Sequence, residues 1–120
     1  MLGNTLTLPH SGGDLVLVKI NQDAYSSEYL LKEALQEHRV RIRHSKTSVT
    51  TSRPSYDRHN VEYVETIYAV ADGAAEHTRK FYIVIEQLPN DTDVENADAV
   101  ADLMILTTNA FLDSLMGWES

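Results

Sequence analysis

An N-terminal β-hairpin, an antiparallel sheet of long strands and C-terminal helices, together an α+β plan, make up the fold class that the sequence predicts. Three observations carry it. In the run 37–47, Arg39, Arg41 and Arg43 alternate with Val40 and Ile42, so a strand there has one arginine face and one apolar face. The runs 60–71 and 79–86 are long and rich in β-forming residues. Lastly, Val94, Ala97, Ala101, Met104, Thr108, Phe111, Leu115 and Trp118 recur at steps of three and four, the mark of an amphipathic helical segment.

Taken in order, 4–8 alternates as a short strand, Pro9 to Gly13 reads as a turn, and 14–20 forms a second strand, closing a hairpin over 4–20. The polar run 21–27 reads as a loop. Residues 28–36 favour helix by propensity but lead straight into the arginine strand, and the residues alone leave helix and strand equal. Residues 48–57, rich in hydroxyls and carrying Pro54, read as a hairpin connection. In 60–71 the face assignment stays open: Val61, Tyr63, Ile67 and Ala69 share one parity, Val64, Thr66, Tyr68 and Val70 the other, and a bulge would reconcile them. Asp72-Gly73 signals a tight turn within 72–78. In the next strand Phe81, Ile83 and Ile85 make the core face, and Lys80, Tyr82, Val84 and Glu86 the other. The sheet thus spans 28–88. Thr92 and Glu95 have capping-box spacing, opening helices over 92–116, and Thr107-Thr108-Asn109 is a predicted break between two of them. A second copy whose helices cross the joined sheets would bury the apolar stripe. Val94, Ala101, Met104, Phe111, Leu115 and Trp118 are the predicted packing residues.

A chain of 120 residues suits a single domain over 1–120. It contains no cysteine, so disulfides and thiolate metal sites are excluded. The first residues lack the basic-then-apolar order of a signal peptide and the apolar runs are short, so the expectation is a cytoplasmic protein with no membrane partner. Net charge is −8, yet its distribution is uneven. Residues 38–58 carry Arg39, Arg41, Arg43, Lys46, Arg53 and Arg58 against Asp57 alone, whereas residues 86–120 hold eight acids and no Lys or Arg. The first region suits polyanions and the second repels them.

Catalytic motifs are missing. His10, His38, His44, His59 and His77 are scattered through loops and strand ends with no metal-ligand spacing, and His38 and His44 fall on the apolar face of their strand or at its ends. There is no glycine-rich phosphate loop and no Gly-x-Ser-x-Gly. Glu95, Asp98 and Asp102 read as a solvated helix face. No enzyme activity, cofactor or metal is therefore expected. Against this stands a dimeric α+β ligand-binding module or small enzyme, its pocket between sheet and helix lined by Tyr63, Tyr68 and histidines. The arginine stripe admits a bland reading, cross-strand pairing to Glu62, Glu65 or Glu86. Three cations on one face exceed what pairing requires. Ser45, Thr47, Thr66 and Tyr82 add hydroxyls and an aromatic ring, a set that suits single-stranded RNA.

The order of these parts, with Asn90-Asp91-Thr92 leading into the helices, resembles the coat proteins of single-stranded RNA bacteriophages over essentially the whole chain. Family members carry Val-x-x-x-Val-Arg-Gln-Ser on the first long strand; the comparable run here is Val40-Arg-Ile-Arg-His-Ser-Lys-Thr47. Their last strand presents a tyrosine and a glutamate four apart, the spacing of Tyr82 and Glu86. The resemblance implies an interlocked homodimer, an icosahedral shell around single-stranded genomic RNA, assembly in the bacterial cytoplasm, and in many members an RNA hairpin whose binding represses replicase translation. It implies RNA contacts from Arg39, Arg41, Arg43, Ser45, Thr66, Lys80, Tyr82 and Glu86, with Lys46 beside them, and contacts between subunits from Asp72, Gly73, Glu76 and His77. It also makes 28–36 mostly strand. Val84 stands where the family has a polar residue, which favours packaging by charge over recognition of one hairpin.

Overall fold

The computed structural model describes residues 2–70 and 73–119. Its chain divides into two compact units, Met1–Pro89 and Asn90–Ser120. In the first, six strands pair each with its neighbour in sequence: β1 (Thr5–Leu8), β2 (Leu15–Gln22), β3 (Ser26–Lys32), β4 (Gln36–Lys46), β5 (Asp57–Ile67) and β6 (His77–Gln87). All pairings are antiparallel, so short turns suffice as connections. The N-terminal hairpin belongs to the same sheet as the rest. The ambiguous run 28–36 becomes β3, a turn and the start of β4, because pairing on both sides outweighs its helix propensity.

The register resolves β5. It runs against β4 and β6 without interruption, placing Val61, Tyr63, Glu65 and Ile67 on one face and Glu62, Val64 and Thr66 on the other. The suspected bulge is not in this strand; among the described residues the irregularity in register lies in β2, between Lys19 and Asn21. β5 also ends at Ile67, four residues short of the predicted limit, and starts three earlier.

Leu17, Tyr29, Val40 and Ile42 form the buried core, flanked by Leu6, Leu8, Leu15, Leu31 and Tyr63. All lie on the face opposite the arginines. The sheet curls here: β2 reaches β4 past its neighbour β3, and Tyr29 Oη donates to Gly3 O at 2.9 Å. His38, expected as a surface or strand-end histidine, is instead 2% exposed. Its Nδ1 lies 2.8 Å from Tyr63 Oη, and its Nε2 lies 2.7 Å from Glu33 Oε1. Burial in this cluster raises the Tyr63 phenol's pKa, and the His38 hydrogen bond lowers that of Glu33.

In the second unit, α1 (Glu95–Met116) starts later than the capping-box spacing suggests. Thr92 does not cap it. No side chain caps the helix at Val94; just before it the chain turns on two carboxylates, Asp91 Oδ1 accepting from Asp93 N and Asp93 Oδ1 from Glu95 N, each at 3.0 Å. Leu106–Asn109 leaves helical geometry, with Thr107, Thr108 and Asn109 all at positive φ, so the predicted break is present. α1 is long and apolar enough to cross a bilayer, contrary to the expectation from its short apolar runs. The break, however, leaves 95–105 as a helix of about 17 Å, well under a membrane's apolar thickness of about 30 Å. No residue of α1 is buried, so Ala101, Met104, Phe111 and Leu115 lack a complete apolar environment, and Val94 and Trp118 beside it are exposed.

Candidate nucleic-acid interface

Strand alternation puts Arg39, Arg41, Arg43 and Ser45 on one side of β4, with Val40 and Ile42 buried on the other. Pairing carries this face across the sheet: Arg39 stands opposite Val64, Arg41 opposite Glu62, Arg43 opposite Asn60 and Ser45 opposite Arg58. On the far strand Lys80, Tyr82, Val84 and Glu86 continue the same rows, and Thr66 sits opposite Thr78. Eight of the nine proposed RNA contacts therefore share a surface. Lys46 does not. It has the opposite parity and reaches the Asp57 carboxylate across the strand end.

The arginines are held by carboxylates to a greater degree than the sequence suggested. Glu28, opposite Arg41 on β3, bonds both Arg39 and Arg41. Arg39 also reaches Glu37 at 3.6 Å. Glu62 lies within 4 Å of three cations: Arg41 at 3.3, Lys80 at 3.8 and Arg43 at 3.9 Å. Glu86 takes Arg53 at 3.0 and Arg58 at 3.6 Å. The Arg39 hydrogen bond is the main reason the Glu28 carboxyl sits below its ordinary pKa, and the Glu28 bond raises that of Arg39 in return.

Exposure sorts these groups. The Arg39 side chain is 27% exposed and the Arg43 side chain 58%. Arg39 is therefore largely shielded by its carboxylate partners, and Arg43 and Lys80 are the more exposed cations of these rows. By register, six cations (Lys32, Arg39, Arg41, Arg43, Arg58, Lys80) share this face with four carboxylates (Glu28, Glu37, Glu62, Glu86). The surplus is positive on a chain of net charge −8. Tyr82 adds an exposed ring on the edge strand, two residues from Lys80 and opposite Glu62. Glu28 was missed in the sequence because β3 had no firm assignment, whereas Glu37, two residues before Arg39 on the same strand face, was open to the same parity reading as the arginines.

The loop before β6 is partly described. Asp72 lies outside the described residues. Gly73 has φ 135°, a conformation that favours glycine, and its N–H donates to Val70 O. Glu76 is exposed, whereas His77, expected in the loop, begins β6. The alternative pocket has little to work with at Tyr63. Its hydroxyl is taken by His38 and its ring packs 5.3 Å from that of Phe81.

A family model for the coat protein of phage phiCb5 matches residues 3–88. Among solved structures, the chain resembles an unassembled virus coat protein dimer, described as a bacteriophage RNA-binding dimer. The TM-score is 0.58 at 12% sequence identity, over 98% of this chain and 95% of that one, a likeness of fold. No curated protein sequence matches the chain.

Proposed function

Since the chain belongs to the coat protein family of the RNA phage phiCb5, a capsid protein by descent, we propose that it builds its shell from homodimers and holds single-stranded RNA against the arginine face. The observation that carries the RNA assignment is the cationic surplus on that face, with Arg43, Lys80 and Tyr82 open to solvent. Phosphates bind to cations that are held in place but not fully neutralised, and unstacked bases find aromatic rings and hydroxyls between them.

Dimerisation rests on a different observation. Val61, Phe81 and Ile83 form an exposed apolar patch on the other face of β5 and β6, and β6 is an edge strand of eleven residues. Unpaired strand edges and contiguous apolar surface both favour association. A second copy that extends the sheet across β6 and covers this patch, together with the exposed apolar side chains of α1, satisfies both. Assembly then proceeds in the host cytoplasm, where the genome is available. The role is structural rather than enzymatic, and contacts between dimers fall to the loop around Gly73 and Glu76.

Expression of the full chain in bacteria, followed by negative-stain microscopy and nuclease protection, tests this. Uniform shells enclosing nuclease-protected RNA are expected. A dimer or monomer free of nucleic acid at every concentration and salt would overturn it.

A further inference from the structure

β4 and β5 outrun β3. The last β3 pair is Ser26 with Arg43, while β4 and β5 stay paired through Lys46 and Asp57. On this overhang His44 stands directly opposite His59, both on the face away from the arginines. Side chains opposite each other in an antiparallel pair have Cβ atoms about 5 Å apart, so two imidazoles placed there meet. Their Nδ1 atoms lie 2.8 Å apart and their rings stand edge-on at 71°. Each of the other described histidines has its Nδ1 beside a different kind of group. His10 accepts from Gly12 N, His38 lies against Tyr63 Oη, and His77 lies against Ala75 O. A cleft of about 370 Å³ opens over the His44–His59 pair, with Tyr25, Lys46 and Asp57 among its walls.

We propose that His44 and His59 chelate a divalent transition metal, copper(II) or nickel(II), through their Nδ1 atoms, with water in the remaining positions. The spacing selects the metal. Two nitrogens each about 2.0 Å from one ion lie about 2.8 Å apart when they bind at right angles, as in square-planar and octahedral sites, and about 3.3 Å apart in a tetrahedral zinc site. The observed separation is that of the right-angled pair. Without metal, one Nδ1–H donates to the other Nδ1. On binding, that proton passes to Nε2 of its own ring, and both Nδ1 lone pairs turn to the ion. Both residues are exposed, so the rings are free to turn and the ion keeps its water. Lys46 would repel the ion, but Asp57 pairs with its ammonium and the two charges cancel. Among the described residues no third histidine or carboxylate joins the pair, which leaves the other positions to water. The two ligands come from different strands, 15 residues apart, so no local spacing in the sequence announces them. Bound metal ties the ends of β4 and β5 together and leaves the arginine face untouched.

The test strips the full-length protein with a chelator, then titrates it with copper(II), followed by electron paramagnetic resonance, and with nickel(II), followed by calorimetry. The parent should show two imidazole nitrogens on one copper. His44→Ala and His59→Ala should each reduce this to one nitrogen and weaken nickel binding about tenfold or more. His10→Ala and His77→Ala, which remove single exposed histidines, should change neither reading. Nickel should also raise the thermal midpoint of the parent and not that of His44→Ala or His59→Ala. A one-nitrogen spectrum in the parent overturns the site, and that reading stands even where a variant folds poorly. Nickel affinity that survives both His44→Ala and His59→Ala overturns it equally.

Discussion

The two halves of the sheet use the same kind of strand for different ends. In β2, β3 and β4 the apolar face is closed: Leu17 and Tyr29 are fully buried and Val40 nearly so. In β5 and β6 the continuation of that face is open, with Phe81 60% and Ile83 53% exposed. Strand composition does not explain the contrast, since Phe81, Ile83 and Ile85 are as apolar as Val40 and Ile42. Curling explains it. The N-terminal strands turn back over their own face and bury it, while β6 is the last strand and has nothing to curl against. The first half is completed by the chain itself, and the second by what binds to it.

Perturbing the two halves should therefore give different signatures. Leu17→Ala has the largest expected effect, a loss of about 2–5 kcal/mol in folding stability, seen in denaturant titration and independent of protein concentration. Phe81→Ala should cost about 2 kcal/mol of association per protomer and little folding stability at dilution, read by sedimentation across a concentration series. If Phe81→Ala unfolds the dilute chain, the open half is not an interface.

The arginine face divides in the same way. Arg43→Gln should lower the slope of log affinity for RNA against log salt by about one, because a phosphate contact is lost. Arg39→Gln should instead lower folding stability, since it leaves Glu28 and Glu37 short of a partner. Equal slopes for the two variants would erase the distinction drawn from their exposure.

The smallest effect is in pH. Glu28 has a folded pKa below 4.5, so its contribution is present above that value and is lost as pH falls through the lower, folded one. Glu28→Gln should flatten stability against pH in that acid window, and an unchanged profile would show that the Arg39 pair adds nothing.

Much of this was legible because strand alternation is local. The parity of Arg39, Arg41 and Arg43 against Val40 and Ile42 needed no neighbours, and Tyr82 and Glu86 followed by the same rule. The break at Thr107–Asn109 was equally local, written in two β-branched residues and an asparagine. The start of α1 differs from the capping-box reading because turns at Asp91 and Asp93 take up the chain around Thr92, and the helix begins only at Glu95. Lys46 was grouped with the arginines by charge, although its parity already set it apart. His38 belongs to a harder class. Its even parity put it on the apolar face, but whether that face was closed at His38 depended on the curl.

By itself, then, the sequence determined the faces: which residues of each strand point together, where the helix breaks, and that one surface is cationic in an acidic chain. Only the tertiary structure decided the partners. Glu28 opposite Arg41 and Glu62 shared by three cations both depend on the register between neighbouring strands. Alternation is set by the stereochemistry of one residue after another, whereas register is set by how many strands pack and curl at once.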